Sequence, residues 1–179
     1  PPVRAVHQPM APTGSYHPLT LASLFFLFSI LGWILETLSY LTMEGVFLNR
    51  SILLGPWIPL YGICGVLSVT MLHRFAKNPI LAFCMNGLLY SVIGYLSDFT
   101  VQMIWHADLH KISQYFCPSL LPPFFADTMF LGLIGCACQY FIAPKWKQIT
   151  RKIPLWFLLC VCVLLGMLML LDVFFAFYR

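Results

Sequence analysis

An acid, a base and a proline-broken turn stand close together in an otherwise apolar stretch, Gly32 to Gly62, GWILETLSYLTMEGVFLNRSILLGPWIPLYG. Glu36 is the most costly of these residues. A carboxylate inside a hydrophobic span is strongly unfavourable unless it is paired, hydrogen-bonded, hydrated or protonated, so it marks a functional candidate. Arg50, preceded by Asn49, and Tyr61 follow within reach. Two readings stay open: a buried ion pair that fixes how the connection packs, and a charged binding site. Asp98, an acid on the matched face of a later span, favours the second, since two acids exceed what one arginine needs. Like charges brought close in a low dielectric push one carboxyl toward its neutral form. The ligand-binding set expected is therefore Glu36, Asn49, Arg50, Tyr61, Asp98 and Asp127, with no catalytic residue.

The turn GPWIPLYG itself reads first as a helix start, with Pro56 or Pro59 in the first turn, where a missing N–H costs nothing. A broken helix whose free N–H groups bind an anion is the alternative. His106 and His110, four residues apart around Asp108, would share a helical face and are a weak metal candidate. They lack the glutamate base of an H-E-x-x-H frame, and an interfacial loop beside Trp105 is the simpler reading. No cofactor is called for.

The elements that must position these residues are membrane spans. Of 179 residues, 60% are hydrophobic and 9% charged, against roughly 25% charged in soluble domains. Mean hydropathy is +0.86. The net charge of +4 is spread over loops and forms no nucleic-acid stripe. Seven cysteines fall mostly in apolar runs and lack C-x-x-C spacing, so they read as small buried hydrophobes, with Cys117 the one in a loop. Apolar runs predict an all-α membrane protein with about five spans, near 19–43, 57–73, 79–105, 123–142 and 154–178. Residues 1–18, rich in proline and polar residues, predict a flexible cytoplasmic tail ahead of one transmembrane domain, 19–179. The first apolar run is too long for a signal peptide and lacks a small-residue cleavage site.

Loop charges set the orientation: Arg4, Arg74, Lys77, Lys145, Lys147, Arg151 and Lys152 lie on one side, against Arg50, Lys111 and Arg179 on the other. The richer side should be cytoplasmic, which places the amino terminus inside. An internal repeat aligns Phe28 to Thr37 with Tyr90 to Phe99 without a gap. One span separates the two segments, so the repeat is of the parallel kind, giving halves of about 19–77 and 78–144 plus an extra helix at 154–178. Ser29, Gly32, Glu36, Ser39 and Tyr40, then Ser91, Gly94, Asp98 and Gln102, share faces at helical spacing that should look inward. Each repeat acid lies roughly 25 Å past the start of its span at about 1.5 Å per residue, toward the outer leaflet. Asp127 and Asp172 fall at a similar height, and together the acids imply a polar pocket open to the outside.

The pattern G-W-x-x-E, then N-R, then L-x-G-P-x-x-P-x-Y-G resembles the bacterial membrane family described as Putative ABC-transporter type IV (CmpB-like). Gly32, Trp33, Glu36, Asn49, Arg50, Gly55, Pro56, Pro59, Tyr61 and Gly62 carry the likeness. Ser51 stands where the family usually has glycine, Asp98 stands near a family glutamate, and Trp105 to Ser113 replaces a W-W-D-Y-S segment. The resemblance implies a transporter or permease subunit of the cell membrane. No Walker A sequence and no G-x-S-x-G elbow occurs, so ATP hydrolysis would fall to a separate ATPase subunit. The basic loop Lys145 to Lys152 offers a docking surface, or a contact to anionic lipid. Self-association into a homo-oligomer stays open. The alternatives are an intramembrane enzyme or lipid-binding protein at the outer interface, and a structural accessory bundle.

Overall fold

The computed structural model describes residues 16–45, 47, 51, 53–105 and 123–178, with side chains omitted at 43–44, 97–105, 123–127 and 177–178. Among the described residues all regular structure is helical. The helices are α1 (Pro18–Glu44), α2 (Pro59–Met71), α3 (Pro79–Trp105), α4 (Pro123–Ala137), α5 (Ala143–Thr150) and α6 (Leu155–Tyr178). The expected tail before Tyr16 and the His106 to His110 loop lie outside the described residues.

Helix limits follow from local chemistry. Proline opens α1, α2, α3 and α4, where its absent N–H is one the helix would leave unbonded anyway. Gly45 ends α1 at φ 69°, in the left-handed region, with its N–H donated to Leu41 O at 3.0 Å. A short 3-10 turn, Leu72–Phe75, finishes α2. A π turn, Cys138–Ile142, joins α4 to α5, with Ala143 N–H donated to Cys138 O. Pro144 follows that turn and cannot donate to the Tyr140 carbonyl four residues back, so the widened turn accommodates its ring.

Among the described residues, three helices are long and apolar enough to cross a membrane: Pro18–Thr42, Pro79–Leu96 and Leu155–Ala176. The expected second span is shorter than that. α2 has 13 residues, about 20 Å at 1.5 Å per residue, against roughly 30 Å of hydrocarbon.

The helices pack as two pairs, α1 along α2 and α3 along α4, with α6 laid against α1. Glycines bring each pair together. A Cβ on Gly62 would overlap Ser29 Oγ and the Phe25 carbonyl, and one on Gly65 would overlap the Phe28 ring. Across the second pair, Gly135 sits against Asn86 and Gly132 against Phe83. Lipid tails are as apolar as leucine, so close packing by small residues, rather than hydrophobic burial, holds such helices. Consistent with that, much of α6 and one side of α3 expose leucine, isoleucine and phenylalanine.

A buried polar cluster ties the pairs to each other. Ser68 Oγ donates to Asn86 Oδ1 at 2.5 Å, Asn86 Nδ2 donates to Ala82 O at 2.8 Å and to Gln139 Oε1 at 3.0 Å, and Gln139 Nε2 donates to Leu72 O at 3.0 Å. All three side chains are 1% exposed or less. Cys64 and Cys138 are buried as the sequence suggests, whereas Cys84 and Cys160 are exposed.

On the expected inward face of α3, Ser91 Oγ lies 2.9 Å from Thr128 Oγ1 on α4. Gly32 meets the Tyr61 ring, whereas a Cβ on its repeat partner Gly94 would meet nothing within 4 Å among the described residues. A small residue at helical spacing marks where a helix can approach, and no described neighbour comes that close at Gly94. Gly62→Ala should therefore lower the midpoint of thermal unfolding in detergent, since the overlapping atoms include backbone. Gly94→Ala should leave it unchanged or raise it, as alanine favours helix over glycine by about 1 kcal/mol.

Candidate functional site

The site is built where α1 ends and α2 begins. Ile58 N–H donates to Ser29 O at 3.0 Å, which pins the start of α2 to α1. Ser29 Oγ meanwhile donates to Phe25 O at 2.8 Å. Pro59 stands at the first helical position, so the helix-start reading of the turn holds. One turn along α1, Gly32 has no side chain to exclude the Tyr61 ring. That approach lets Tyr61 OH reach past Gly32 and donate to Glu36 Oε1 at 2.6 Å. Ser29, Gly32 and Glu36 thus share the α2-facing side of α1, as their spacing predicts. Glu36 and Tyr61 are both half-buried.

The connection before α2 is held by an acid on another helix. Asp172, on α6 and 8% exposed, accepts from Leu54 N–H at 2.9 Å on Oδ1 and from Gly55 N–H at 2.8 Å on Oδ2. Trp57 Nε1 donates to the same Oδ2 at 2.9 Å. Hydrogen bonds to an ionised acceptor are roughly twice as strong as neutral ones, so these three donors offset much of the cost of burying the charge. Ser51 adds a second tie, donating to Trp57 O at 2.6 Å and accepting from Leu53 N–H at 3.1 Å. A glycine there would lose both bonds.

Behind Tyr61 the core turns polar without being fully satisfied. The Tyr61 and Tyr90 rings lie 6.3 Å apart between centroids. Tyr90 is 3% exposed, and its hydroxyl lies near the Cys138 thiol without a hydrogen bond of good geometry. Thr37 Oγ1, buried beside Glu36 in the chain, also has no partner among the described residues. Orphaned buried hydroxyls are uncommon in native proteins and point to strain or function.

Of the expected binding residues, Glu36 and Tyr61 are brought together. Asp98 falls within α3 and Asp127 within α4, with side chains outside the described part, and Asn49 and Arg50 lie outside it altogether. Sequence reasoning noted the height of Asp172 but not its role, because its partners are N–H groups more than a hundred residues away. The Ser68, Asn86 and Gln139 cluster was also missed, although a polar residue within each of three apolar runs was a signal for it. Among the described residues no group of three or more metal-ligating side chains assembles.

Three outcomes test this geometry. Asp172→Asn offers one good acceptor in place of two to three donors, so it should cost about 1–3 kcal/mol in detergent unfolding and loosen the environment of Trp57, read by its fluorescence. Tyr61→Phe should destabilise by about 1 kcal/mol through loss of the bond to Glu36. Tyr90→Phe removes an unsatisfied hydroxyl and should be neutral or stabilising.

Neither the curated proteins nor the solved structures yield a match to this chain. The family described as Putative ABC-transporter type IV matches residues 23–177, a stretch that takes in α2 to α5 and most of α1 and α6. The chain belongs to that family.

Proposed function

We propose that this chain is the membrane-embedded subunit of a transporter, with a polar site at the outer end of the bundle around Glu36 and Tyr61. The observation that supports it most is the half-buried Glu36 carboxylate, held at 2.6 Å by Tyr61 OH in an otherwise apolar helix pair. Asp98, Asp127, Asn49 and Arg50 complete the site in this reading, with Asp98 brought toward Glu36 by the repeat that relates α1 to α3. Five crossings then give a cytoplasmic amino terminus, with α2 and the α4–α5 rod as shorter or tilted passages. The chain carries no nucleotide-binding motif, so its energy comes from a separate ATPase.

Two measurements test the proposal. Purification at native expression should bring down a partner with ATPase activity, and its absence from every preparation would remove the ATP-driven version. Thermal unfolding against a panel of cations, amines and small anions should show at least one ligand that raises the midpoint, and Glu36→Gln should abolish that response while leaving the ligand-free midpoint near the parent's. A large loss of ligand-free stability, restored by adding Arg50→Gln, would mark Glu36 and Arg50 as a structural ion pair instead.

A further inference from the structure

The opposite end of the bundle carries its own chemistry. α1 begins there, α2 finishes there in its 3-10 turn, and α3 and α6 begin there. α4 runs antiparallel to α3, with Thr128 beside Ser91 and Gly132 beside Phe83, and so reaches this end at α5. Two basic segments meet in this way, one with Arg74 and Lys77 and the other with Lys145, Lys147, Arg151 and Lys152. Tyr140 OH donates to Ala76 O at 2.7 Å and joins one segment to the other. Trp146 Nε1 donates to Ser23 Oγ at 2.9 Å and Thr150 Oγ1 to Trp146 O at 3.1 Å, so α5 is held back against α1. Lys147 Nζ lies 4.5 Å above the Tyr16 ring.

Arg74, Lys77, Lys145, Arg151 and Lys152 are exposed. The stretches 45–97 and 128–171, which hold both segments, contain no aspartate or glutamate. Large apolar side chains stand among these charges: Ile80 is 79% exposed, Phe141 66%, Ile149 48% and Trp156 68%. Basic groups over an exposed apolar rim suit a molecule with an anionic head and an apolar tail.

We infer that the segments 73–78 and 143–153 together form one binding site for the phosphate headgroup of an anionic phospholipid, whose acyl chains run along the apolar rim. An acidic face on a protein partner is the competing occupant. It is disfavoured because α5 is tied back onto α1 and does not project, and because large apolar side chains, Ile80, Phe141, Ile149 and Trp156, stand exposed among the charges. The site is distinct from the Glu36 end and does not depend on the transport reading.

The test uses the purified full chain in a neutral detergent, with phosphatidylglycerol, phosphatidylcholine or inorganic phosphate added. Phosphatidylglycerol should raise the unfolding midpoint by about 5 °C at saturation, with phosphatidylcholine and phosphate giving little. Each basic residue near an anionic surface strengthens binding about fivefold, so the combined variant Arg74→Gln, Lys77→Gln, Lys145→Gln and Arg151→Gln should weaken it by roughly a hundredfold or more. Its lipid-free midpoint should match the parent's, and a second variant carrying Arg74→Lys and Arg151→Lys should keep the lipid response. Equal shifts with phosphatidylcholine, or an undiminished response in the glutamine variant, would overturn the inference. A shift produced by phosphate alone would reduce the site to an anion patch and overturn it as well.

Discussion

The Asp172 carboxylate is the constraint on which the rest of the Glu36 end of the bundle depends. An acid in so apolar a helix is tolerable only where donors meet it, and the donors here are two loop N–H groups and an indole. That requirement fixes α6 in rotation, which its uniformly apolar surface would not. It also fixes residues 53–57, and through them the position of Pro59 and the first turn of α2. Tyr61 lies in that turn. The placement of the hydroxyl that reaches Glu36 is therefore set, at one remove, by an acid on the last helix.

The other half of the bundle is assembled on different terms. Apolar contacts between helices gain little over contacts with lipid, so the glycine seams and the Ser68, Asn86 and Gln139 cluster carry the specificity. Asn86 is saturated in the sense that matters: its oxygen accepts from Ser68 and its nitrogen donates twice. Gln139 reaches it from the π turn, whose wider geometry shifts the register of α4 just before Pro144. The same turn carries Tyr140, whose bond to Ala76 joins the basic segments. One local irregularity thus serves both the core and the charged end.

Much of this was legible in the sequence, and the failures have physical causes. Prolines and hydropathy place the helix starts closely, and the spacing of Ser29, Gly32 and Glu36 identifies the side of α1 that meets α2. The same spacing on α3 brings Ser91 to Thr128, while Gly94 meets no described neighbour, because a small residue permits an approach without supplying the partner. Asp172 could be read as costly but not as a loop anchor, since its donors become available only once the chain folds back on itself. The 13-residue length of α2 was obscured because hydropathy does not distinguish α-helix from the 3-10 turn that follows.

The motif that carries the family likeness separates into two kinds of residue when its contacts are examined. Gly32 and Gly62 admit neighbouring atoms, Gly55 lies under the Trp57 ring and gives its N–H to Asp172, and Pro59 starts a helix. Each is explained by assembly of the α1–α2 pair. Glu36 adds a carboxylate to that pair. The hydrogen bond from Tyr61 asks only for an oxygen, which glutamine offers at the same position, so that bond by itself does not account for the charge. In the transport reading proposed above, the charge is where a transported or coupling ion would act.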